Sequence, residues 1–262
     1  MFSRNLRVAL IEDNIAWADK AANVEQLRRN LRNVPEGTDL VVLPELFTTG
    51  FIVGDRDTAA HLAERNIDDT IATLHQLARH YNLALCGSFL AHTAGQLYNR
   101  AFFIEANGEE TFYDKRHLFA FAGEDSVYKQ GYTLAPIVRY RGFNIKLIVC
   151  YDLRFPELAR RQAIEGAEIL VYPAAWVDGA GKKRQWETLL AARAIENELF
   201  VVGVCRADDG YIGSSLVAAP DGSLLVEGSG DEGLYTCELD TESLEPLREN
   251  MPIFGHRRPD IY

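Results

Sequence analysis

The stretch Gly142-Phe-Asn-Ile-Lys-Leu-Ile-Val-Cys-Tyr-Asp-Leu-Arg-Phe-Pro-Glu157 changes character abruptly in its middle. Ile145 to Val149 is apolar and rich in β-branched residues, as a buried strand is. That run stops at Cys150-Tyr151-Asp152, and Pro156 then stands where the first turn of a helix accepts proline. Cys150 is therefore expected between a strand's end and a helix's start. Backbone N–H groups lack partners there and the helix dipole favours negative charge, so the place suits a thiolate and a developing oxyanion. The alternative is that Cys150 fills a core position, since free cysteine is among the most buried residue types.

Working outward, Ile137 to Tyr140 pairs with this strand as a hairpin around Gly142. A helix near 156–165, a strand Glu168 to Tyr172, a helix of about Lys183 to Glu198 and a strand Phe200 to Cys205 follow. Upstream, strand Leu6 to Ile11 precedes helical spacing from Ala16 to Leu31, and Asp39 to Leu43 is a second strand closed by Pro44-Glu45. After a polar loop come helix Ile67 to His80 and strand Leu83 to Leu90. Strands near 97–105 and 109–114 are joined by a tight Asn107-Gly108 turn. A long irregular loop is expected from Lys115 to Gly131. The C-terminal part reads as short strands near 212–219, 223–227 and 233–239, then a helix at 241–249 and an irregular tail. Strands alternating with helices indicate an α/β layered protein, and the inserted hairpins indicate mixed sheets. No linker or repeat divides residues 1–262, so a single domain is expected. The pattern alone does not choose between a sandwich and a doubly wound sheet.

Composition narrows the function. A net charge of −11 and the lack of any Lys/Arg tract argue against a nucleic-acid surface. No run approaches a membrane span, and Met1-Phe-Ser-Arg-Asn5 lacks the apolar core of a signal peptide. Cys86, Cys150, Cys205 and Cys237 are widely spaced without Cys-x-x-Cys pairs. A reduced, cytoplasmic protein without a disulfide framework or structural zinc is the simplest expectation.

Three polar positions stand out beside Cys150. Glu45 follows Val41-Val42-Leu43-Pro44, so a buried strand delivers its carboxylate; a glutamate opening a helix after proline is the plainer reading. Lys115, in Phe112-Tyr-Asp-Lys-Arg-His-Leu-Phe119, ends a strand among aromatics, where a solvated lysine is the plainer reading. Glu124 lies in the long loop and has least to distinguish it by itself. Together they make chemistry. A thiol with a pKa near 8.5 needs a base or positive charge to become a nucleophile near neutrality. A carboxylate can take that proton, and an ammonium can stabilise a tetrahedral oxyanion with the Tyr151 backbone N–H. No histidine stands in a Cys–His protease setting; His117 is the one near the site.

The order Pro44-Glu45-Leu46-Phe47, Tyr113-Asp-Lys115-Arg-His-Leu-Phe119, Cys150-Tyr-Asp-Leu-Arg-Phe-Pro-Glu157 resembles the nitrilase superfamily of carbon–nitrogen hydrolases. Trp186-Glu-Thr-Leu-Leu-Ala-Ala-Arg-Ala-Ile-Glu-Asn197 and Arg257-Arg-Pro-Asp-Ile-Tyr262 look like its later signatures, so the resemblance runs from Leu6 to Tyr262. It implies a Glu–Lys–Cys triad at Glu45, Lys115 and Cys150. It also implies a second glutamate at Glu124, seven residues before Gly131. The implied fold is an α–β–β–α sandwich of two mixed sheets, assembled as a homodimer or larger homo-oligomer, with no metal or organic cofactor.

The segment after the cysteine is similar to that of ω-amidases and deaminated-glutathione amidases, which implies hydrolysis of the terminal amide of small 2-oxo dicarboxylate monoamides. Arg154 suits a substrate carboxylate because its planar fork binds one bidentately; a structural salt bridge with Asp152 or Glu157 is the alternative. The loop Pro173 to Lys182 is expected as a pocket wall, with Trp176 as an apolar shelf or a packing aromatic. Val177-Asp178 depart from the more usual polar residues of the branch, so the branch's exact substrate does not carry over. Nitrile hydrolysis is the alternative within enzymes. A binding protein that has lost its chemistry is the rival class, disfavoured because all four reactive positions are present. A thiol oxidoreductase lacks a resolving cysteine nearby in sequence.

Overall fold

A computed structural model describes residues 4–261; the side chain of Ser243 and the terminal Tyr262 lie outside the described residues. In chain order the elements are β1 (Asn5–Glu12), α1 (Lys20–Leu31), β2 (Leu40–Val42), α2 (Arg56–Leu62), α3 (Asp69–Tyr81), β3 (Ala84–Thr93), β4 (Gln96–Ile104) and β5 (Glu110–Asp114). The second half runs β6 (Val138–Tyr140), β7 (Phe143–Leu147), α4 (Pro156–Ile164), β8 (Ile169–Ala174), α5 (Lys182–Asn197), β9 (Phe200–Cys205), β10 (Leu216–Ala218), β11 (Leu224–Glu227), β12 (Gly233–Asp240) and α6 (Thr241–Asn250).

Two six-stranded sheets result, ordered β12-β1-β2-β3-β4-β5 and β11-β10-β9-β8-β7-β6. Each has a parallel centre, β1-β2-β3 in one and β7-β8-β9 in the other, flanked by antiparallel strands. Strand period sorts the side chains into layers. Leu6, Val8 and Leu10 of β1 join Ile145, Leu147, Ile169 and Val171 in the core between the sheets. Ala9 and Ile11 point the other way and pack with Leu27 and Leu31 of α1 and Leu74 and Leu77 of α3. Leu158, Trp186, Leu190 and Ala194 bring α4 and α5 onto the second sheet. This is the α–β–β–α sandwich of mixed sheets. The central strands are covered on both faces, which is why they read as unbroken apolar runs.

Some local readings change. The polar loop before α3 contains α2, whose start is set by Asp55 accepting from the Thr58 N–H. α1 begins at Lys20 rather than Ala16, because Asp19 caps it and Ala18 is left-handed with φ 56°. The long loop from Lys115 to Gly131 is irregular as expected but folds into two 3₁₀ turns, Ala120–Ala122 and Glu124–Ser126. No regular α-helix begins at Cys150. A five-residue 3₁₀ turn, Cys150–Arg154, comes first, and α4 opens with Pro156.

Candidate active site

The site forms where the ends of β2, β5, β7 and β8 meet. Past Val42 the chain turns sharply through Leu46, a non-glycine at φ 50°, and leaves Glu45 fully buried. Glu45 therefore opens no helix. Lys115 follows β5 and is 1% exposed, so it is not the solvated lysine its surroundings allowed. Its Nζ donates to Glu45 Oε1 at 2.8 Å and to Glu124 Oε1 and Oε2 at 3.0 and 2.8 Å.

Glu124 reaches the lysine because its loop is pinned at both ends. Its Oε2 accepts from the Phe119 N–H at 2.5 Å. Further on, Gly131 donates its N–H to the Lys115 carbonyl at 2.8 Å, and a Cβ at Gly131 would stand 2.2 Å from the Asp114 carbonyl oxygen. Only glycine permits that approach, so the residue seven positions after Glu124 holds the loop against β5.

Cys150 completes the group. It has φ 41°, a conformation costly for a side-chain-bearing residue, and keeps 7% of its surface exposed. Burial first, then the charge of the Glu45 carboxylate, push the thiol well above its usual range, with Lys115 opposing. The thiolate expected of a helix start is thus replaced by a resting thiol. A short 3₁₀ turn offers little dipole, and a carboxylate faces the sulfur. Burial would lower Lys115, but the charges of Glu124 and then Glu45 outweigh it and hold the ammonium well above its ordinary value. Burial raises Glu124 despite Lys115, and Glu45 adds to the rise.

Asn99, which sequence reasoning passed over, and Asp152, which it named only as a partner for Arg154, hold this cluster together. Asn99 of β4 is fully buried and its amide donates to Glu45 Oε1 at 2.6 Å and Glu124 Oε1 at 3.1 Å. Its oxygen accepts from Ser88 Oγ at 3.0 Å, and Ser88 accepts from the Leu46 N–H at 2.8 Å. Asparagine is disfavoured inside strands, and its place in β4 was the available signal. Asp152, 1% exposed, accepts from Tyr113 Oη (2.9 Å), His117 Nδ1 (2.7 Å) and the His117 N–H (2.8 Å). It also accepts from the Val149 N–H at 3.3 Å. It thereby ties the end of β5 to the Cys150 turn, and His117 serves this clamp, stacked 3.7 Å from Phe155.

The pocket outside Cys150 has about 270 Å³ of empty space, its open mouth included, and is lined by Phe119, Tyr151, Arg154, Ala175, Trp176, Val177 and Lys182. Tyr151 stands at the first turn after the nucleophile position, where an N–H precedes the turn's own acceptors. Arg154 lies 4.6 Å over the Trp176 ring and donates to Gln185 Oε1 at 2.8 Å. Neither Asp152 nor Glu157 pairs with it among the described residues. Trp176 is both shelf and packing aromatic: it lines the pocket, yet is 4% exposed and tilted against Trp186 at 5.3 Å. Among the described residues no group of three or more His, Cys, Asp or Glu is arranged to hold a metal ion.

A buried base on a thiol, an ammonium beside both and an opening to solvent can carry out acyl transfer. Comparison with known proteins gives this geometry a lineage. The carbon-nitrogen hydrolase family model matches residues 7–249. The chain belongs to the carbon–nitrogen hydrolase family. This hydrolase is 35% identical over 255 residues to the omega-amidase YafV of Escherichia coli K12, covering 95% of each chain. It is 28% identical over 261 residues to the 2-oxoglutaramate amidase of Bacillus subtilis, covering 97% of this chain and 98% of the other. Its structure superposes with a TM-score of 0.90, at 31% identity and 97% coverage of both chains, on XC1258 of Xanthomonas campestris, a CN-hydrolase superfamily protein with an arsenic adduct in its active site. The nitrilase-superfamily resemblance holds over the length of the chain. No helix among the described residues is long and apolar enough to cross a membrane.

Proposed function

We propose that this hydrolase converts the terminal amide of small dicarboxylate monoamides, 2-oxoglutaramate-like acids foremost, into acid and ammonia through a thioester on Cys150. The observation that carries the reading is the buried Glu45 carboxylate bonded to Lys115 and acting on the Cys150 thiol, beside a small pocket holding an arginine. The amide substrates named for its relatives support the same class.

As Sγ attacks the amide carbon, Glu45 takes its proton, so a thiol with a raised pKa ionises only when the new C–S bond compensates. The oxyanion is met by the Tyr151 N–H and by the Lys115 ammonium. On collapse Glu45 returns the proton to the departing nitrogen, ammonia leaves, and the acyl group stays on sulfur. Water then attacks the thioester with Glu45 as base, releasing the carboxylic acid and the thiol. Glu124 keeps Lys115 charged and aimed. Arg154 takes the substrate's free carboxylate, and Trp176 supports its chain. The limited pocket favours short acids over the larger N-substituted amides. The same hydrolysis suits a cytoplasmic protein, as the four free cysteines do.

The test is ammonia release from glutaramate, succinamate and 2-oxoglutaramate, with a nitrile and deaminated glutathione as comparators. Quenching during turnover should leave an acyl mass on the peptide containing Cys150. Equal turnover by Cys150→Ala would sink the mechanism, and release from the nitrile alone would sink the substrate class.

A further inference from the structure

Two cations border the pocket, and neither has a carboxylate partner among the described residues. One is Arg154, already placed at the substrate's carboxylate. The other, Lys182, was expected only as the end of a wall loop. Its carbonyl accepts the Trp176 indole N–H at 3.1 Å, fixing its backbone to the pocket's shelf, and its Nζ lies 5.9 Å from the Phe119 ring centre. The Arg154 guanidinium thus lies over the indole's face, while the Lys182 backbone is bonded to the indole's edge and its ammonium lines the same pocket beside Phe119.

The charges around Lys182 are arranged to leave it free. It is the first residue of α5, whose first turn contains no acidic side chain. The neighbouring Lys183 turns toward Glu187 and Glu227 at 3.7 and 3.9 Å. Asp178, in the same loop, spends Oδ1 on the Gly179 N–H at 2.7 Å rather than on Lys182. A cation at a helix start is disfavoured by the helix dipole, so an unpaired lysine there is a stability loss that an incoming anion would relieve. The net charge of −11 makes the surroundings repel anions, so attraction at the mouth has to be local.

We propose that Lys182 acts with Arg154 as a charge filter that selects ω-amides with an anionic, ammonium-free end. This rests on the amidase reading and deepens it. Arg154 holds the carboxylate in its fork, while Lys182 donates to the same carboxylate and, where there is one, to the neighbouring 2-oxo oxygen. A 2-ammonio acid such as glutamine brings a third cation between the two. Like charges a few ångströms apart at a partly wet site lower affinity on the order of tenfold. Lys182 is thus a specificity residue, with no part in proton transfer.

The experiment has a turnover arm and a binding arm. In the first, kcat/KM is measured for glutaramate, butyramide and glutamine with the wild type, Lys182→Gln and Lys182→Arg. Lys182→Gln should lower the glutaramate-to-butyramide and glutaramate-to-glutamine ratios about tenfold, mostly through KM, as loss of a charged hydrogen bond does. Lys182→Arg should restore most of both ratios. In the second arm, calorimetry measures glutaramate and butyramide binding to Cys150→Ala with and without Lys182→Gln. Glutaramate should bind more tightly, with an advantage that shrinks with added salt and with Lys182→Gln. Unchanged ratios, or a proportional fall for all three amides, overturn the proposal. Selective binding of glutaramate without turnover by the wild type would leave the filter standing and remove the amidase reading.

Discussion

Replacing Asn99 by leucine removes the link between the two buried carboxylates while keeping a side chain branched at Cγ. Two bonds to charged groups are lost, at roughly 1.5–3 kcal/mol each. The Ser88 hydroxyl loses its acceptor, adding ~1 kcal/mol. Leucine's apolar burial returns ~2 kcal/mol. The balance is a loss of about 2–5 kcal/mol, a sizeable part of a typical folding stability. At ~2–4 °C per kcal/mol for a chain of this size, the melting temperature should fall by about 4–20 °C. The loss also depends on pH. Burial already raises Glu124 in the folded protein, and removing a donor to its charged form raises it further. A carboxyl raised by folding holds its proton more tightly folded than unfolded. Its contribution is therefore favourable at low pH and is lost as pH rises through the folded value. The deficit of Asn99→Leu should be larger at about pH 8 than at about pH 5. Melts followed by circular dichroism at both pH values, with kcat/KM on the same samples, test this. A melting temperature within roughly 2 °C of wild type, with unchanged kcat/KM, would refute the role given to Asn99.

Three other outcomes are expected. Asp13 is pushed up to about 6 by burial, then by the Glu232 charge. A carboxyl so raised opposes folding once pH passes that value, so Asp13→Asn should stabilise by ~1–3 kcal/mol at about pH 8 and little at about pH 4; equal melting shifts at both would refute the assignment. Glu45→Gln should slow acylation and deacylation together by roughly 10²–10⁴, seen by rapid quench, whereas Glu124→Gln should retain the thiol–base pair and lose transition-state stabilisation through a misaimed Lys115. A dead Glu124→Gln beside a normal Glu45→Gln would reverse the roles. We also propose a two-fold dimer with each C-terminal tail laid across the partner: Ile261 is 66% exposed at the end of the described chain. Deleting 256–262 should then lower the mass seen by light scattering; a truncated protein still dimeric and fully active removes the tail from the contact.

Much of the architecture could be read from residue order. Doubly covered strands such as Ile169–Ala174 and Phe200–Cys205 are apolar throughout, so their positions show without any knowledge of their neighbours. Glu45, Lys115 and Cys150 were legible because each interrupts such a pattern at a strand's end. What the sequence alone determined was therefore local: which segments bury both faces, where each stops, and which reactive residue waits there. The electrostatics were a property of the fold. Lys115 became a buried ammonium only when β2 and the loop closed by Gly131 set two carboxylates against it. The Cys150 thiol rises rather than ionises because it is buried and because Glu45, distant in sequence, faces it. Asn99, Asp152 and Lys182 take their meaning from partners on other elements, which no spacing along the chain encodes. Hydrophobic periodicity is read one segment at a time, whereas a charge's behaviour depends on everything within a few ångströms, and only tertiary structure assembles that surrounding.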